Sequence, residues 1–264
     1  MQSSSAPGRE IVIAAARFLR EHSSQRIKLC DVADHVGYSP FHLARVFEQH
    51  MGTTPGQFLA AHRFHRAKDL LLHSDERIID VCLAVGFTSV GTFTTRFTAS
   101  VGLSPTAFRR LPDLLAAAPP QPMTVPGDAA HGCVVSGSVR LSERAHAALR
   151  GCASIYVGLY RKRSARGVPI SGSLLDESHT YALTGLRPGR YWLLAAALPQ
   201  IDDPVAQLLP SHSVIGSSPT SITLTRSEPL QHHDLVLDVA EDWRSPVVVA
   251  LPPLAAPIVT GTIA

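Results

Sequence analysis

Residues Gly37–Phe47, GYSPFHLARVF, and Gly86–Phe97, GFTSVGTFTTRF, decide how the first part of the chain folds. Each opens with a glycine, an aromatic residue and a Ser or Thr, then runs into a segment whose apolar residues are spaced for one face of a helix. The correspondence extends beyond these letters. Val32, Ala33, Val36 and Gly37 match Val81, Cys82, Val85 and Gly86 at an offset of 49, and Leu43 and Phe47 match Phe93 and Phe97 at an offset of 50. One residue is therefore added in the second turn. The offset of 50 continues through Gly52 and Gly102, Pro55 and Pro105, and Phe58 and Phe108, so a whole supersecondary unit is repeated.

Each unit reads as a helix with a small residue on its inner face (Ala33 or Cys82), a glycine where positive φ is needed, and a second helix anchored by two apolar residues four apart. Ser39 is an N-cap candidate and Pro40 is suited to the first helical position. These features predict two helix-turn-helix units. Two copies are too few for a solenoid. Between them Thr54-Pro55 opens a long helix with Ala60, Phe64, Ala67 and Leu71 on one face, a rod that fixes the units relative to each other. Ahead of them Ile11, Ala14, Ala15 and Phe18 form the stripe of a first amphipathic helix.

The whole chain has 264 residues, 45% hydrophobic and 17% charged, which excludes disorder throughout. Residues 1–112 hold 13 basic and 9 acidic residues, whereas 113–264 hold 11 and 12, so the positive excess lies in the helical part and suits a polyanion. The N-terminus lacks the basic region of a signal peptide, and the uncharged stretch from Pro246 contains Pro252, Pro253 and Pro257, which excludes a spanning helix there. A cytoplasmic protein is expected. Cys30, Cys82, Cys133 and Cys152 show neither a C-x-x-C pair nor zinc spacing and read as reduced thiols.

The stretch IKLCDVADHVGYSPFHLARVFEQHMGTTPGQFLAAHRFHRAKDLLL, followed by IIDVCLAVGFTSVGTFTTRFTASVGLSPTAFRR, resembles the DNA-binding domain of the AraC/XylS family of bacterial transcriptional regulators. The resemblance rests on the VGF turn, the closing G-x-S-P-x-x-F-R, and Arg63, Ala67, Leu70 and Leu71 of the linker helix. It implies about seven helices in an all-α double helix-turn-helix domain, with two recognition helices entering successive major grooves of double-stranded operator DNA. The implied contact residues are Ser39, Pro40, Phe41, His42, Ala44, Arg45 and Gln49 in the first unit. In the second they are Ser89, Val90, Gly91, Thr92, Thr94, Thr95 and Arg96, with Arg109 and Arg110 as phosphate contacts. Arg45 has the reach for a bidentate bond to guanine, and Phe41 can pack on a thymine methyl. Ala44, Val90, Gly91 and Thr95 stand where relatives commonly carry polar readers. RNA polymerase and a small-molecule effector are further implied partners, with no cofactor and no membrane.

Residues 113–131, with four prolines and no period, read as a linker between a DNA-binding domain (1–112) and a second domain (132–264). The runs CVVSGSVRL, SIYVGLY, YWLLAAAL, HDLVLDV and PVVVAL predict short strands and an all-β, sandwich-like domain. L-x-G-L-x-P-G-R-Y-x-L, from Leu183, resembles the hairpin of carboxypeptidase-regulatory or transthyretin-like β-sandwiches, with Tyr191, Leu193 and Ala195 buried after the Pro188-Gly189 turn. His179, His212, His232 and His233 lack metal-ligand spacing and no G-x-S-x-G or H-E-x-x-H occurs, so an enzyme is not expected. Three roles fit the second domain: sensing a ligand or protein, dimerisation or polymerase contact without ligand, and a catalytic or thiol-redox module on Cys133 and Cys152. A large apolar pocket inside the sandwich favours the first, a flat exposed apolar sheet face the second, and adjacent thiols the third.

Overall fold

A computed structural model of the chain describes residues 6–118, 120–128, 132–200, 203–209 and 213–252. The helical part comprises α1 (Ala6–Glu21), α2 (Leu29–Val36), α3 (Pro40–Met51), α4 (Pro55–His73), α5 (Ile78–Ala84), α6 (Val90–Val101), α7 (Pro105–Arg109) and α8 (Leu111–Ala117). These are eight helices among the described residues, one more than expected. The extra one arises because the chain kinks at Arg110, which caps α7 at its end and α8 at its start, and Pro112 cannot continue the preceding ladder.

The stripe of α1 lies one residue further on than its apolar spacing suggests. Val12, Ala15, Ala16 and Leu19 are buried, Ile11 and Phe18 are half-buried, and Ala14 is exposed. Both registers have helical spacing, and packing against α2, α3 and α4 selects the one whose small Ala15 and Ala16 permit close approach.

Two apolar cores share α4. Phe58 and Leu59 at its start join Leu43 and Phe47 of α3, whereas Ala60, Phe64, Ala67 and Leu71 join Phe93 and Phe97 of α6. All four residues of its expected apolar face are buried. One continuous helix thus belongs to both units and holds them at a fixed separation.

The strand-rich part contains β1 (Met123–Val125), β2 (Cys133–Leu141), α9 (Glu143–Leu149), β3 (Ala153–Tyr160), β4 (Ser171–Leu174), β5 (Thr180–Leu186), β6 (Gly189–Pro199), α10 (Pro204–Leu208), β7 (Val214–Ser217), β8 (Ile222–Leu224), β9 (Leu230–His232) and β10 (Leu235–Val239). Hydrogen-bonded neighbours run β1-β4-β3-β6-β7-β10-β2-β5, with β8 beside β6 and β9 beside β2. This is one curled sheet with two short helices, and the expected sandwich of two separate sheets is not what these strands form. The ends of the order approach each other where Gly127 N–H donates to Thr184 O at 2.8 Å. A Cβ on Gly127 would lie 2.3 Å from Gly185 O, so only glycine allows this approach. Tyr191, Leu193 and Ala195 are buried as expected, and the Tyr191 hydroxyl donates to Arg187 O across the turn. No hairpin forms there, however: β5 pairs with β2, whereas β6 pairs with β3, β7 and β8.

PVVVAL, read as a strand, is instead an extended strap between the two parts. Val248 and Ala250 pack into the core of the second helical unit, whereas Val249 and Leu251 pack with Tyr156, Leu174 and Ala196 on the sheet. The alternation that suggests a strand is real, but both faces meet side chains, and Ala250 N–H bonds to Val101 O at the end of α6. The rest of the uncharged stretch, from residue 253 on, lies outside the described residues.

Candidate nucleic-acid interface

The two turns are built from the same bonds. In the first, Gly37 has φ 73° and Tyr38 N–H donates to Ala33 O at 2.9 Å; in the second, Gly86 has φ 88° and Phe87 N–H donates to Cys82 O at 3.0 Å. Ser39 then accepts from His42 N–H and Ser89 from Thr92 N–H, so both recognition helices start from a hydroxyl cap. Their far ends match too, with Gly52 and Gly102 in left-handed geometry and bonded to Glu48 O and Thr98 O. Ala33, Cys82, Leu43, Phe47, Phe93 and Phe97 are each fully buried, which accounts for the apolar half of the repeat.

Burial of Leu43, Val46 and Phe47 turns the opposite side of α3 outward. Phe41 is 82% exposed, an unusual placement for a large aromatic residue. Arg45 and Gln49 are exposed, with no hydrogen bond or ion pair among the described residues, and Pro40 is exposed at the helix start. His42 and Ala44 lie half-buried on the flanks, and the His42 ring stacks on Tyr38 at 5.1 Å. Two exposed residues outside the expected contact set share this surface. Tyr38 carries the His42 ring, and Glu48 follows Arg45 by three residues on the same face. The i, i+3 spacing was the available signal for Glu48.

On α6, Gly91, Thr92 and Thr95 are exposed, whereas Val90 packs at the margin of the core. Thr94 turns toward the protein, half-buried, and its carbonyl accepts from the Thr98 hydroxyl. Arg96 is exposed but leans on the Phe87 ring at 5.7 Å, a ring that Arg63 shares at 5.4 Å. Arg63 also donates to Ser23 O and Gln25 O, tying the α1–α2 turn to α4. Burial, and secondarily the charge of Arg96, push the Arg63 guanidinium below its ordinary range. Arg109 is committed in the same manner, donating to Leu71 O and Glu76 O between α4 and α5, whereas Arg110 is exposed.

The strand-rich part meets both recognition helices at their last turns. Gly167 N–H donates to Ser100 O, and the Arg163 side chain packs on Gly52. The helix starts, with Phe41 and Val90, are at the opposite ends. Trp243 packs against the first helical core with Arg9 over its ring, and Arg20 pairs with Asp242 at 3.3 Å.

All four cysteines are free thiols, with Cys133 inside the sheet core and Cys152 exposed, and no group of three His, Cys, Asp or Glu able to hold a metal occurs among the described residues. Among these residues no helix is long and apolar enough to cross a membrane.

Twin turns, hydroxyl-capped second helices and a shared rod define a double helix-turn-helix protein. The helix-turn-helix domain family matches residues 32–111. The probable transcription factor PqrA of Proteus vulgaris is 35% identical over 86 residues, covering 33% of this chain and 70% of that protein. The transcriptional activator AarP of Providencia stuartii is 35% identical over 86 residues, covering 33% and 64%. The melibiose operon regulatory protein of Escherichia coli is 33% identical over 94 residues, covering 36% and 31%, so the match spans about a third of that relative's length. Among solved structures, the DNA-binding domain of AdpA in complex with a target DNA is 27% identical, covering 43% of this chain and 96% of that one with a TM-score of 0.36. The chain belongs to the AraC-type helix-turn-helix family of transcriptional regulators.

Proposed function

We propose that the chain acts in the bacterial cytoplasm as a sequence-specific regulator, reading two adjacent major-groove half-sites with α3 and α6, and that its strand-rich part is a sensor. The reading is carried by α4, whose first turns belong to one helix-turn-helix core and the remainder to the other. A single rigid helix sets the half-site spacing at about one helical turn, roughly 10 base pairs.

The two readers differ in chemistry. Phe41, Arg45, Glu48 and Gln49 can address thymine methyls, guanine, cytosine and adenine edges respectively. The exposed face of α6 offers threonines and Gly91, with Arg96 set to one side near Arg63. The first unit therefore reads bases, and the second clamps phosphate and follows groove shape. Gly91 fits this role, because an added Cβ would meet nothing closer than Ser89 Oγ at 4.0 Å. No packing inside the protein demands glycine there, whereas close approach of backbone to DNA does.

The sensor role is supported by a large, mostly apolar-lined cavity. It lies between the outer face of the sheet and the helical part, not inside a sandwich. Direct coupling to polymerase or to an effector completes the proposal. A randomised-operator selection with the full chain tests it. Enrichment of two fixed half-sites, the more informative one facing α3, supports the assignment, and enrichment of a single half-site refutes it.

A further inference from the structure

Between the sheet and the helical part lies a partly open cavity of about 550 Å³, within the usual range for small-molecule sites. Its floor is the outer face of β3, β4, β6 and β7. There Gly158 pairs with Gly172 and Leu194, Tyr156 with Ala196, and Leu194 with Ser217, so small residues interrupt the large ones and leave room above the strands. The walls are residues 163–169, after β3, and the strap from Trp243 to Leu251.

The polar groups around this space are unbalanced. Arg163, Arg166 and Arg244 line it, and no Asp or Glu does. None of the three makes an ion pair among the described residues; Arg163 lies over the Trp192 ring and Arg244 over that of Trp243, each at 5.5 Å. Arg166 is half-buried, and burial together with the charge of Arg96 lowers its guanidinium below the ordinary range. Tyr156 and Tyr160 also line the cavity, are 5% and 6% exposed, and have no hydrogen-bond partner for their hydroxyls among the described residues. Burial raises both phenols, which keeps them protonated and able to donate. Arg166, half-buried beside Arg96 and without an acidic partner, and the two phenol donors set into an apolar wall offer charge-assisted bonds to an anionic acceptor, whereas Arg163 and Arg244 are exposed and add only attraction at the rim. A neutral guest leaves the half-buried Arg166 unpaired, and a wholly polar anion forgoes the apolar floor.

We propose that this cavity binds a small amphipathic carboxylate, its apolar body on the sheet floor and its anionic end met by the arginines, Arg166 foremost, with Tyr156 and Tyr160 as donors. The inference rests on the reading of the strand-rich part as a sensor and names the ligand class for it. The site adjoins the recognition helices, because the same loop places Arg163 on Gly52 after α3 and Gly167 on Ser100 in α6.

The test is calorimetric titration of the full chain with two matched pairs of probes: octanoate against octanol, and phenylbutyrate against phenylbutanol. At least one acid should bind saturably and roughly tenfold or more tighter than its alcohol, the difference expected from one charge-assisted bond. Arg166→Gln should erase that preference while leaving alcohol binding in place. Tyr156→Phe and Tyr160→Phe, which conserve volume, should weaken the acid alone, and Ala196→Phe, which fills the floor, should abolish both. Circular dichroism identifies any variant that fails to fold. Absence of acid binding, equal binding within both pairs, or a preference that survives Arg163→Gln, Arg166→Gln and Arg244→Gln would overturn the assignment. Operator affinity measured with and without each probe separates the two claims. Selective acid binding that leaves operator affinity unchanged supports the ligand class and removes the sensor role; an alcohol that shifts operator affinity, with no acid preference, does the reverse.

Discussion

Gly37 and Gly86 occupy the same place in the repeat and have nearly the same backbone, φ 73° and 88°, yet replacing each by alanine should have different costs. At Gly37 an added Cβ meets nothing within 4 Å. The cost is then the left-handed conformation of an L-residue, roughly 1–2 kcal/mol, offset by about 0.4–1 kcal/mol from the restricted unfolded chain. At Gly86 the same Cβ lies 2.7 Å from Ser24 O and 3.1 Å from the Arg63 guanidinium. Neither neighbour moves freely, since Ser24 O is backbone and Arg63 is held by Ser23 O at 2.8 Å and Gln25 O at 2.6 Å. Overpacking adds about 1–3 kcal/mol. Urea unfolding of the full chain should therefore give a net loss of roughly 0–1.6 kcal/mol for Gly37→Ala and about 1–3 kcal/mol more for Gly86→Ala, as midpoint shifts at unchanged slope. Equal shifts, or a larger one for Gly37→Ala, would show that the second turn is not packed against the α1–α2 loop.

Lys68 is fully buried with its ammonium over Phe108, and desolvation lowers its pKa from 10.5 to about 7. The unfolded chain then binds more protons than the folded one between those values, so stability should rise with pH across that window, and Lys68→Met should stabilise the protein and flatten the rise. A rise that persists in the variant would assign it elsewhere; it is not expected from His62, lowered to about 4 by burial, because its window lies between pH 4 and 6.5. Gly91→Ala should stabilise the free protein by up to about 1 kcal/mol through helix propensity while weakening operator binding. Tighter binding would remove the close backbone approach. Arg45→Ala should relax base choice in one half-site, at about 1–3 kcal/mol for the lost discrimination, whereas Arg96→Ala should weaken all sequences alike. Paired operator selections with these two variants read both effects.

The helix-turn-helix units were legible because their signals are local and mutually consistent: glycine at positive φ, a hydroxyl cap, and two aromatic or aliphatic anchors four apart. What the sequence concealed depends on distant partners. The α1 stripe slipped by one residue because Ile11, Ala14, Ala15 and Phe18 are as periodic as Val12, Ala15, Ala16 and Leu19, and only the facing helices choose between them. Arg109, a phosphate contact by type and position, also donates to the carbonyls of Leu71 and Glu76 across the fold, a tie that its place in the sequence does not announce. PVVVAL carries a strand pattern because an extended segment buried on both sides needs the same alternation, whether or not it joins a sheet. The sheet order joins strands far apart in sequence, including parallel pairs of β2 with β9 and β10, and nothing in the individual strands encodes that pairing.

The claim that one chain engages two half-sites through a rigid α4 is tested most directly by operator spacing. The selected operator and a version with about five base pairs inserted between its half-sites, which turns one half to the opposite face of the duplex, are titrated with the full chain at fixed salt. Simultaneous engagement requires affinity on the inserted operator to fall to that of an operator carrying one half-site. Equal affinity for the selected and inserted operators would contradict it.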